Sequence, residues 1–338
     1  MSAPLRVGII GCGRPGGSDG ATGTGIAHSH AKGYAEVPET QLVALADVVL
    51  ANAEAFQAIH GGDALYTDFE EMLAKEKLDM VSICTWPGLH APMVEAAAKA
   101  GVRAILCEKP MAPTWAAAKS MKATADAHGV VLALNHQRRF DPPYMKAKEL
   151  LANELGGLKR LEMQCDNLFD WGTHWFDMMH FLNHETPAEW IMSQIEPTGG
   201  PSFFGVTMEG QAITQVGFAN GVKAVLITGK EPGWGAMIRA WGANGLLEIG
   251  AIGWDSLRWW VSGQPEWIVE DFSDVKTSGF ARAIADIVLA LEDGHEPELS
   301  VNRALRGTEL MFAAYESGRK GGRVSIPVAF EDSGLYYA

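Results

Sequence analysis

Short apolar runs alternate with helical patterns through the first 135 residues, and this alternation restricts the possible folds more than any other feature. The apolar runs are continuous, as expected of strands buried on both faces of a parallel sheet. Strands are predicted at residues 5–10, 41–46, 80–84, 102–107 and 130–134. Helices are predicted at residues 26–37, 49–60, 68–75, 91–100 and 115–127. The pattern predicts an α/β fold with a doubly wound parallel sheet, whose ligands bind beyond the carboxyl ends of the strands.

A glycine-rich turn, Gly11-Cys12-Gly13, follows the first predicted strand. Glycines permit a tight turn there and let the backbone approach a pyrophosphate at a helix N-terminus. Gly16 completes a literal GxGxxG, but the proline and glycines of residues 15–20 are poor helix formers. We therefore predict that Gly25 is the third glycine and that the intervening residues loop out. For the two glycines alone, a flexible turn unrelated to nucleotide stays open.

Asp47 ends the second predicted strand, where an acidic side chain can accept hydrogen bonds from the adenosine ribose hydroxyls. A carboxylate at this position repels a 2′-phosphate, and no arginine follows closely. The sequence therefore predicts NAD in preference to NADP. Asp47 could equally serve as a cap for the helix that follows it.

The second half of the chain has a different pattern. Strands are predicted at residues 158–166, 188–195, 211–219, 222–228, 236–241, 246–250, 256–261 and 266–271. Asn220-Gly221 and Asn244-Gly245 predict hairpins with type I′ turns, in which both central residues have positive φ. Helices are predicted at residues 280–292 and 302–317. We predict a first domain over residues 1–135 and an α+β domain over 136–338, with an open, mostly antiparallel sheet and C-terminal helices that can pack back on the first domain.

Charge and composition narrow the classes of partner. The net charge of −14 and the pI of about 5.2 argue against nucleic acid and anionic membranes, which attract basic surfaces. The four cysteines are widely spaced without a CxxC pair, which favours free buried thiols over a metal or disulfide role. There is no signal-like N-terminus and no run of about 18 apolar residues, so a cytoplasmic protein is expected.

Two stretches carry ionisable groups that could move a proton. Lys109 follows the apolar strand that ends at Cys107, so it is predicted at the same sheet edge as Gly13 and Asp47. Pro110 restricts the lysine to an extended backbone, and the bond between them can adopt the cis form. A lysine is ordinarily a solvated charge, but a Glu-Lys-Pro at this edge favours a functional role.

Asp170 and His174 lie four residues apart at the start of a helix predicted to run to residue 182. Thr173 could cap this helix. His174, Asp177 and His180 also have a spacing that suits a metal. The apolar residues around them favour core roles for Asp177 and His180, and we predict no metal. Spacing alone does not distinguish a catalytic role from a structural role for Asp170 and His174.

The ordered set of residues resembles the Gfo/Idh/MocA family, which includes glucose–fructose oxidoreductase and inositol dehydrogenase. The resemblance rests on the first GxG and Asp47, on Cys84-Thr85-Trp86-Pro87 leading to His90, on Cys107-Glu108-Lys109-Pro110, on Asn135 before Arg139-Phe140, and on Asp170-x-Gly-x-His174-x-x-Asp177. It covers nearly the whole chain, since residues 314–317 and 324–327 resemble the family's closing helix and strand. Two departures concern the phosphate loop, which is longer than usual, and Trp86, which stands where a smaller residue is common.

The resemblance implies a Rossmann domain followed by an open antiparallel α+β domain. The open face of the predicted sheet could support assembly, and we expect a homodimer or homotetramer. It implies that Lys109, Asp170 and His174 are catalytic. The residues expected to contact the cofactor are Gly11, Cys12, Gly13, Gly25, Asp47, Cys84, Thr85, Trp86, His90, Glu108, Lys109 and Asn135. We also expect substrate contacts from Arg138, Asn167 and Trp171, besides the three catalytic residues.

The expected reaction is hydride transfer between NAD and a hydroxyl carbon of a sugar, sugar derivative or cyclic polyol. His174 would accept the hydroxyl proton, Asp170 would orient the imidazole, and Lys109 would stabilise the developing charge on oxygen. A redox-neutral relative that cleaves a glycoside through transient oxidation is an alternative. A non-catalytic nucleotide-dependent sensor on the same fold is another.

Overall fold

The structure is a computed structural model that describes residues 3–13, 25–203, 205–229, 237–253, 255–275 and 277–335. These residues form two compact units. The first comprises residues up to 112, 117–137 and 277–304, and the second comprises residues 113–116, 138–276 and 305 onward. Residues 277–304, which the sequence analysis assigns to the second domain, therefore cluster with the first unit.

A six-stranded parallel sheet forms the centre of the first unit. Its strands are β1 (Leu5–Ile10), β2 (Thr40–Ala46), β3 (Ala64–Tyr66), β4 (Met80–Ile83), β5 (Ala104–Cys107) and β6 (Val131–Leu134). The order β3-β2-β1-β4-β5-β6 is that of a doubly wound dinucleotide-binding sheet, so the predicted fold is confirmed. The sequence analysis missed β3, because three half-buried residues are too few to show a period.

Nine α-helices are present in the described part of the chain. They are α1 (Ile26–Ala35), α2 (Leu50–His60), α3 (Phe69–Glu76), α4 (Pro87–Lys99), α5 (Trp115–His128), α6 (Pro142–Ala152), α7 (Gly172–Leu182), α8 (Gly279–Asp293) and α9 (Val301–Lys320). None of these helices, in the residues described, is both long and apolar enough to cross a lipid bilayer. In the first unit α8 packs against α1 at Gly33, where an added Cβ would lie 2.8 Å from Ile284. This close approach explains why residues 277–304 belong to the first unit.

A nine-stranded mixed sheet dominates the second unit. Its strands are β7 (Leu158–Cys165), β8 (Ala188–Glu196), β11 (Gln211–Phe218), β12 (Lys223–Thr228), β13 (Ile238–Gly242), β14 (Gly245–Ile249), β15 (Ser256–Val261), β16 (Ile268–Asp271) and β17 (Val324–Ser325); β9 (Ser202–Phe203) and β10 (Val206–Thr207) form a separate pair. The pairs are antiparallel except for β7 with β12, which is parallel. This agrees with the predicted open, mostly antiparallel sheet.

Both predicted hairpins form, but the predicted turn type is wrong. At the β11–β12 turn only Gly221 has a positive φ, of 84°, whereas Asn220 does not. At the β13–β14 turn neither Asn244 nor Gly245 has a positive φ. In the first turn Phe218 pairs with Val222 across three residues, so the connection is longer than the two residues of a type I′ turn.

Candidate functional site

The turn after β1 brings the glycine backbone to the carboxyl edge of the sheet. At Gly11, where φ is 88°, an added Cβ would lie 2.9 Å from Thr85 and 3.0 Å from the Cys84 carbonyl oxygen, so a larger residue does not fit. Gly13, with φ 68°, has nothing within 4 Å of an added Cβ among the described residues. Between them Cys12 is buried, and burial with the nearby Asp47 charge raises the pKa of its thiol to about 12. The turn therefore offers backbone rather than a reactive thiol.

Gly25 lies immediately before α1 in a left-handed conformation, with φ 64° and ψ 42°. The predicted start of the first helix after this glycine is therefore observed. The amides of the first turn of a helix lack intrahelical partners and suit an anion. The other candidate for the third glycine, Gly16, lies in residues 14–24, outside the described part of the chain.

The Asp47 carboxylate is held in one orientation by three donors. Its Oδ2 accepts a hydrogen bond from the Gly13 amide at 3.0 Å. Its Oδ1 accepts from the Val49 amide at 2.9 Å and from Asn52 Nδ2 at 3.1 Å. The Val49 contact closes a turn before α2, whose N-cap is Val49, so Asp47 is not the N-cap of this helix. Val48, which follows Asp47, is 87% exposed and carries no charge that could attract a 2′-phosphate.

The turn after β4 is organised by a buried histidine. His90 Nε2 lies 3.0 Å from the Thr85 carbonyl oxygen, and Nδ1 lies 3.2 Å from the Met111 carbonyl oxygen. Burial lowers the pKa of His90, although both carbonyl contacts act in the opposite direction. Its side chain joins the turns after β4 and β5. Trp86 directly precedes α4 and is 48% exposed.

The ends of β5 and β6 meet at Glu108, which is 4% exposed. Its Oε1 accepts a hydrogen bond from Asn135 Nδ2 at 2.6 Å, and its Oε2 accepts from the Lys109 amide at 3.2 Å. The peptide bond between Lys109 and Pro110 is cis. Asn135 is also buried, and its Oδ1 has no hydrogen-bond partner in the described residues. An oriented carboxylate, a lysine and an amide oxygen thus adjoin one another at this edge.

In the second unit, the turn that carries Asp170 is held by Asn167. Its Oδ1 accepts hydrogen bonds from the Asp170 amide at 2.7 Å and from the Trp171 amide at 3.2 Å. Its carbonyl oxygen accepts from the Gly172 amide at 2.7 Å, and an added Cβ on Gly172 would lie 2.9 Å from that oxygen. Asn167 itself is buried. The predicted cap, Thr173, lies inside α7, and the N-cap residue is Trp171. Asn167 instead holds the turn that precedes the helix.

α7 carries His174, which is 5% exposed. One turn later Asp177 makes a buried ion pair with Arg139, whose Nε and Nη2 both lie 2.8 Å from its oxygens, and Arg139 Nη1 also reaches Glu185 at 2.6 Å. His180 is buried edge-on against the Phe218 ring, and burial lowers its pKa to about 4. Arg139 therefore anchors the helix, and the Asp177 carboxylate is engaged.

Arg138 lies among aromatic rings next to this turn. Its guanidinium is 4.7 Å from the Trp175 ring centroid and 5.7 Å from that of Trp171, and Nη1 donates to the Tyr144 hydroxyl at 2.8 Å. Such stacking orients an arginine without neutralising its charge.

The predicted site residues thus form two groups, one in each unit. The first group fits a dinucleotide, because it combines the close backbone approach at Gly11, the acceptor Asp47 and an Asn135 oxygen that has no hydrogen-bond partner among the described residues. The second group presents a carboxylate and an imidazole. Sequence reasoning missed three supporting side chains, since no local pattern connects them with their partners: Asn52, His30 and Glu209.

Comparison with known proteins agrees with this description. Residues 5–136 match the model of a family described as "Oxidoreductase family, NAD-binding Rossmann fold". Inositol 2-dehydrogenase of Rhizobium meliloti (strain 1021) is 27% identical over 349 residues, which cover 95% of this chain and 99% of that protein. D-glucoside 3-dehydrogenase of Escherichia coli (strain K12) is 33% identical over 157 residues, which cover 46% of this chain and 41% of that protein.

A solved structure extends the likeness to both units. An oxidoreductase from Agrobacterium radiobacter, crystallised in complex with NAD+, L-tartaric acid and magnesium, matches with a TM-score of 0.80 at 20% identity. The match covers 96% of this chain and 99% of that one. At this level of identity the likeness shows the fold.

Proposed function

Since this chain belongs to the Gfo/Idh/MocA family of oxidoreductases, we propose that it transfers a hydride between NAD and a hydroxyl-bearing carbon of a sugar, sugar derivative or cyclic polyol. The full-length similarity to inositol 2-dehydrogenase supports a polyol, and the partial similarity to D-glucoside 3-dehydrogenase supports a sugar. The nicotinamide ring, when bound, supplies the hydride chemistry. Every other step depends on side chains of this protein.

In the proposed mechanism three side chains act on the reacting hydroxyl. The His174 imidazole accepts its proton in the direction of oxidation and returns it in the direction of reduction. Asp170 orients the imidazole or binds a neighbouring hydroxyl. The Lys109 ammonium donates a hydrogen bond to the same oxygen and stabilises the negative charge that develops there.

The observation that carries the proposal is the position of Lys109 on the parallel sheet. It follows β5, which pairs in register with β4 from Met80 with Ala104 to Ile83 with Cys107. Ligands of doubly wound sheets bind beyond this edge. A lysine next to a buried carboxylate at this edge is placed to donate a hydrogen bond to the reacting oxygen of a bound substrate. A lysine that served only as a solvated surface charge would not need a buried carboxylate beside it.

We propose NAD as the cofactor, in preference to NADP. Support comes from Asp47, whose carboxylate is oriented by Gly13 and Asn52 and is followed by uncharged, exposed residues. A 2′-phosphate at this position would meet a negative charge with no compensating cation in Val48 or Val49.

Arg138 and Trp171 are the proposed substrate contacts of the second unit. Stacking leaves the guanidinium oriented and charged, which suits a hydroxyl-rich ligand. For Asn167, the two backbone hydrogen bonds support a positioning role for the turn that carries Asp170.

The proposal is tested by adding NAD and a panel of polyols, aldoses and glycosides to the purified protein. NADH is followed by its absorbance and product release by chromatography. We expect NADH to accumulate in proportion to the ketone product with at least one substrate. Glycoside cleavage without NADH would favour redox-neutral chemistry, and binding of sugars with no conversion would favour a sensor.

We also propose that the open face of the second unit's sheet joins two or four copies of the chain. Apolar side chains on this face, including Met192 at 43% exposure and Ile213 at 51%, support this. They alternate with buried residues along β8 and β11. Light scattering after size exclusion is expected to give a multiple of 36.4 kDa, and Ile213→Glu is expected to lower it.

A further inference from the structure

A row of buried polar side chains runs from α1 to the end of β5 in the first unit. The Tyr34 hydroxyl lies 2.7 Å from Ser82 Oγ, and Ser82 Oγ lies 2.8 Å from His30 Nδ1. His30 Nε2 lies 2.7 Å from Glu108 Oε1. His30 and Ser82 are 0% exposed and Tyr34 is 2% exposed. Buried polar groups without partners destabilise a fold, so the direction of each proton in this row matters.

The hydrogen bonds fix that direction. Burial raises the pKa of the Tyr34 phenol, so it keeps its proton and donates to Ser82 Oγ. Among the described residues Ser82 Oγ has one other partner, His30 Nδ1, so the serine proton is donated there. Nδ1 must then be an acceptor, which assigns the ring hydrogen of His30 to Nε2. With this tautomer every donor in the row has an acceptor.

Glu108 ends the row as an acceptor for three donors. Besides His30 Nε2, it accepts from Asn135 Nδ2 at 2.6 Å and from the Lys109 amide at 3.2 Å. The two nitrogens Asn135 Nδ2 and His30 Nε2 lie 3.4 Å apart, as expected when both point at one oxygen. Burial raises the pKa of Glu108, but the His30 hydrogen bond, the Lys109 charge and the Asn135 hydrogen bond outweigh it, and the net shift is downward. The carboxylate therefore stays ionised.

The other titratable groups that face Glu108 in the described residues are kept neutral. Burial raises the pKa of the Cys84 and Cys107 thiols well above the usual value. Burial lowers the pKa of His90.

We propose that His30 is a positioning residue, which holds the Glu108 carboxylate so that it fixes the backbone and the charge of Lys109 at the cofactor edge. Ser82 and Tyr34 select the tautomer that His30 needs. The inference rests on the proposed function, because the value of fixing Lys109 is its contact with the reacting oxygen. It adds to that function a row of buried hydrogen bonds that begins at Tyr34 on α1 and ends at Glu108.

The direct test compares His30→Leu with His30→Gln in the full-length protein. The glutamine amide can occupy the place of Nε2 and donate to Glu108, whereas leucine cannot. We expect kcat to fall about ten- to hundredfold for His30→Leu, the scale of a lost hydrogen bond to a charged group. Its limb on the acid side of the kcat/KM profile should move to higher pH, because Glu108 loses a donor that lowers its pKa. His30→Gln should recover most of both effects.

A matched control separates positioning from general loss of a buried hydroxyl pair. Ser193 Oγ and Thr214 Oγ1 lie 2.7 Å apart, buried in the sheet of the second unit. We expect Ser193→Ala to lower the melting temperature and to leave the pH profile as it is. Ser82→Ala removes the acceptor of the Tyr34 proton and should shift the pH profile as well. It serves as the second variant if His30→Leu does not fold.

Two readouts do not depend on turnover. Nitrogen-15 NMR of the histidine rings should show His30 with hydrogen on Nε2 and an acceptor Nδ1. NADH binding, followed by fluorescence, should weaken severalfold in His30→Leu and recover in His30→Gln. If the wild type oxidises no polyol or sugar, the proposed reaction fails while these two results still stand. A hydrogen on Nδ1, or a leucine variant with the wild-type pH profile and NADH affinity, would overturn the positioning role.

Discussion

The ionisable residues of the two units are held in different ways. In the first unit Glu108 is held by side chains from two distant segments, His30 and Asn135, and by the backbone amide of the adjacent Lys109. In the second unit the amides of Asp170 and Trp171 are held by a side chain from the same turn, Asn167.

The two arrangements are expected to have different physical effects on the residues that they hold. A network of distant side chains orients a charge inside the protein, where water cannot compete and each hydrogen bond is strong. A local side-chain contact such as that of Asn167 orients backbone amides, and so fixes the direction in which a short turn presents its side chains. Loss of the Glu108 network should therefore change electrostatics and cofactor affinity. Loss of the Asn167 contacts should change stability and turnover but not cofactor affinity.

The largest effect is expected for the proposed base. His174→Ala should lower the rate of hydride transfer at least about a hundredfold, because general-base catalysis typically contributes 10²–10⁴. NAD affinity should stay nearly unchanged, since this residue belongs to the second group. Single-turnover kinetics and NADH fluorescence measure the two quantities. His128→Ala, an exposed substitution on α5, is the control, and unchanged turnover in His174→Ala would remove the residue from the mechanism.

The second largest effect is expected for Asp47, a proposed cofactor contact. Asp47→Ala should weaken NAD binding about ten- to hundredfold, as hydrogen bonds to a charged acceptor are lost, and should reduce the preference over NADP. Dissociation constants for both dinucleotides are compared. Asn52→Ala, which removes one of the donors to Asp47, should have a several-times smaller effect. An unaltered ratio of the two constants would contradict the assignment.

A buried histidine of the second unit should make stability depend on pH. Burial lowers the pKa of His180 to about 4 in the folded protein, against about 6.5 unfolded. Between these values only the unfolded chain binds the proton, so the free energy of unfolding falls as pH falls. The loss begins near pH 6.5, reaches about 2 kcal/mol at pH 5 and levels off below pH 4.

Urea unfolding at several pH values measures this effect in the wild type and in His180→Leu. The leucine variant should have a flatter dependence on the acid side. His295 is the contrast, because its hydrogen bonds to Asp293 and Asp286 raise its pKa. The stability that His295 contributes is present at low pH and is lost as pH rises through its folded-state pKa. His295→Gln should therefore change the dependence of the free energy of unfolding on pH at the alkaline side, where His180→Leu has no effect. A wild-type slope in His180→Leu would argue against a neutral buried ring.

The smallest effect is expected for Asn167, which holds the turn before α7. Asn167→Ala should lower the free energy of unfolding by about 1 kcal/mol, because its hydrogen bonds with the Asp170 and Trp171 amides are lost. Turnover should fall severalfold at constant NADH affinity. Asn167→Asp, which retains an acceptor oxygen, is the matched comparison. Weakened NADH binding in Asn167→Ala would contradict the separation of the two groups.

Much of the fold followed from local patterns. Continuous apolar runs identified five of the six strands in the first sheet, since burial on both faces leaves a composition that is visible in four to six residues. β3 escaped because it has three residues, and the parallel pairing of β7 with β12 escaped because pairing partners far apart in sequence leave no local trace. The Asn-Gly pairs at 220–221 and 244–245 predicted the positions of the hairpins but not their turn types.

The candidate site divides in the same way. The sequence predicted which residues lie at the ligand-binding edge of the sheet, because the carboxyl ends of all strands in a parallel sheet lie at one edge. These residues include Gly11, Asp47 and Glu108-Lys109-Pro110. Tertiary structure alone decided that His30 contacts Glu108, 78 residues away in sequence, and that Arg139 makes a buried ion pair with Asp177. These contacts arise from packing between elements. A buried charge requires hydrogen-bond partners, and these partners lie far apart in sequence until the folded chain brings them together.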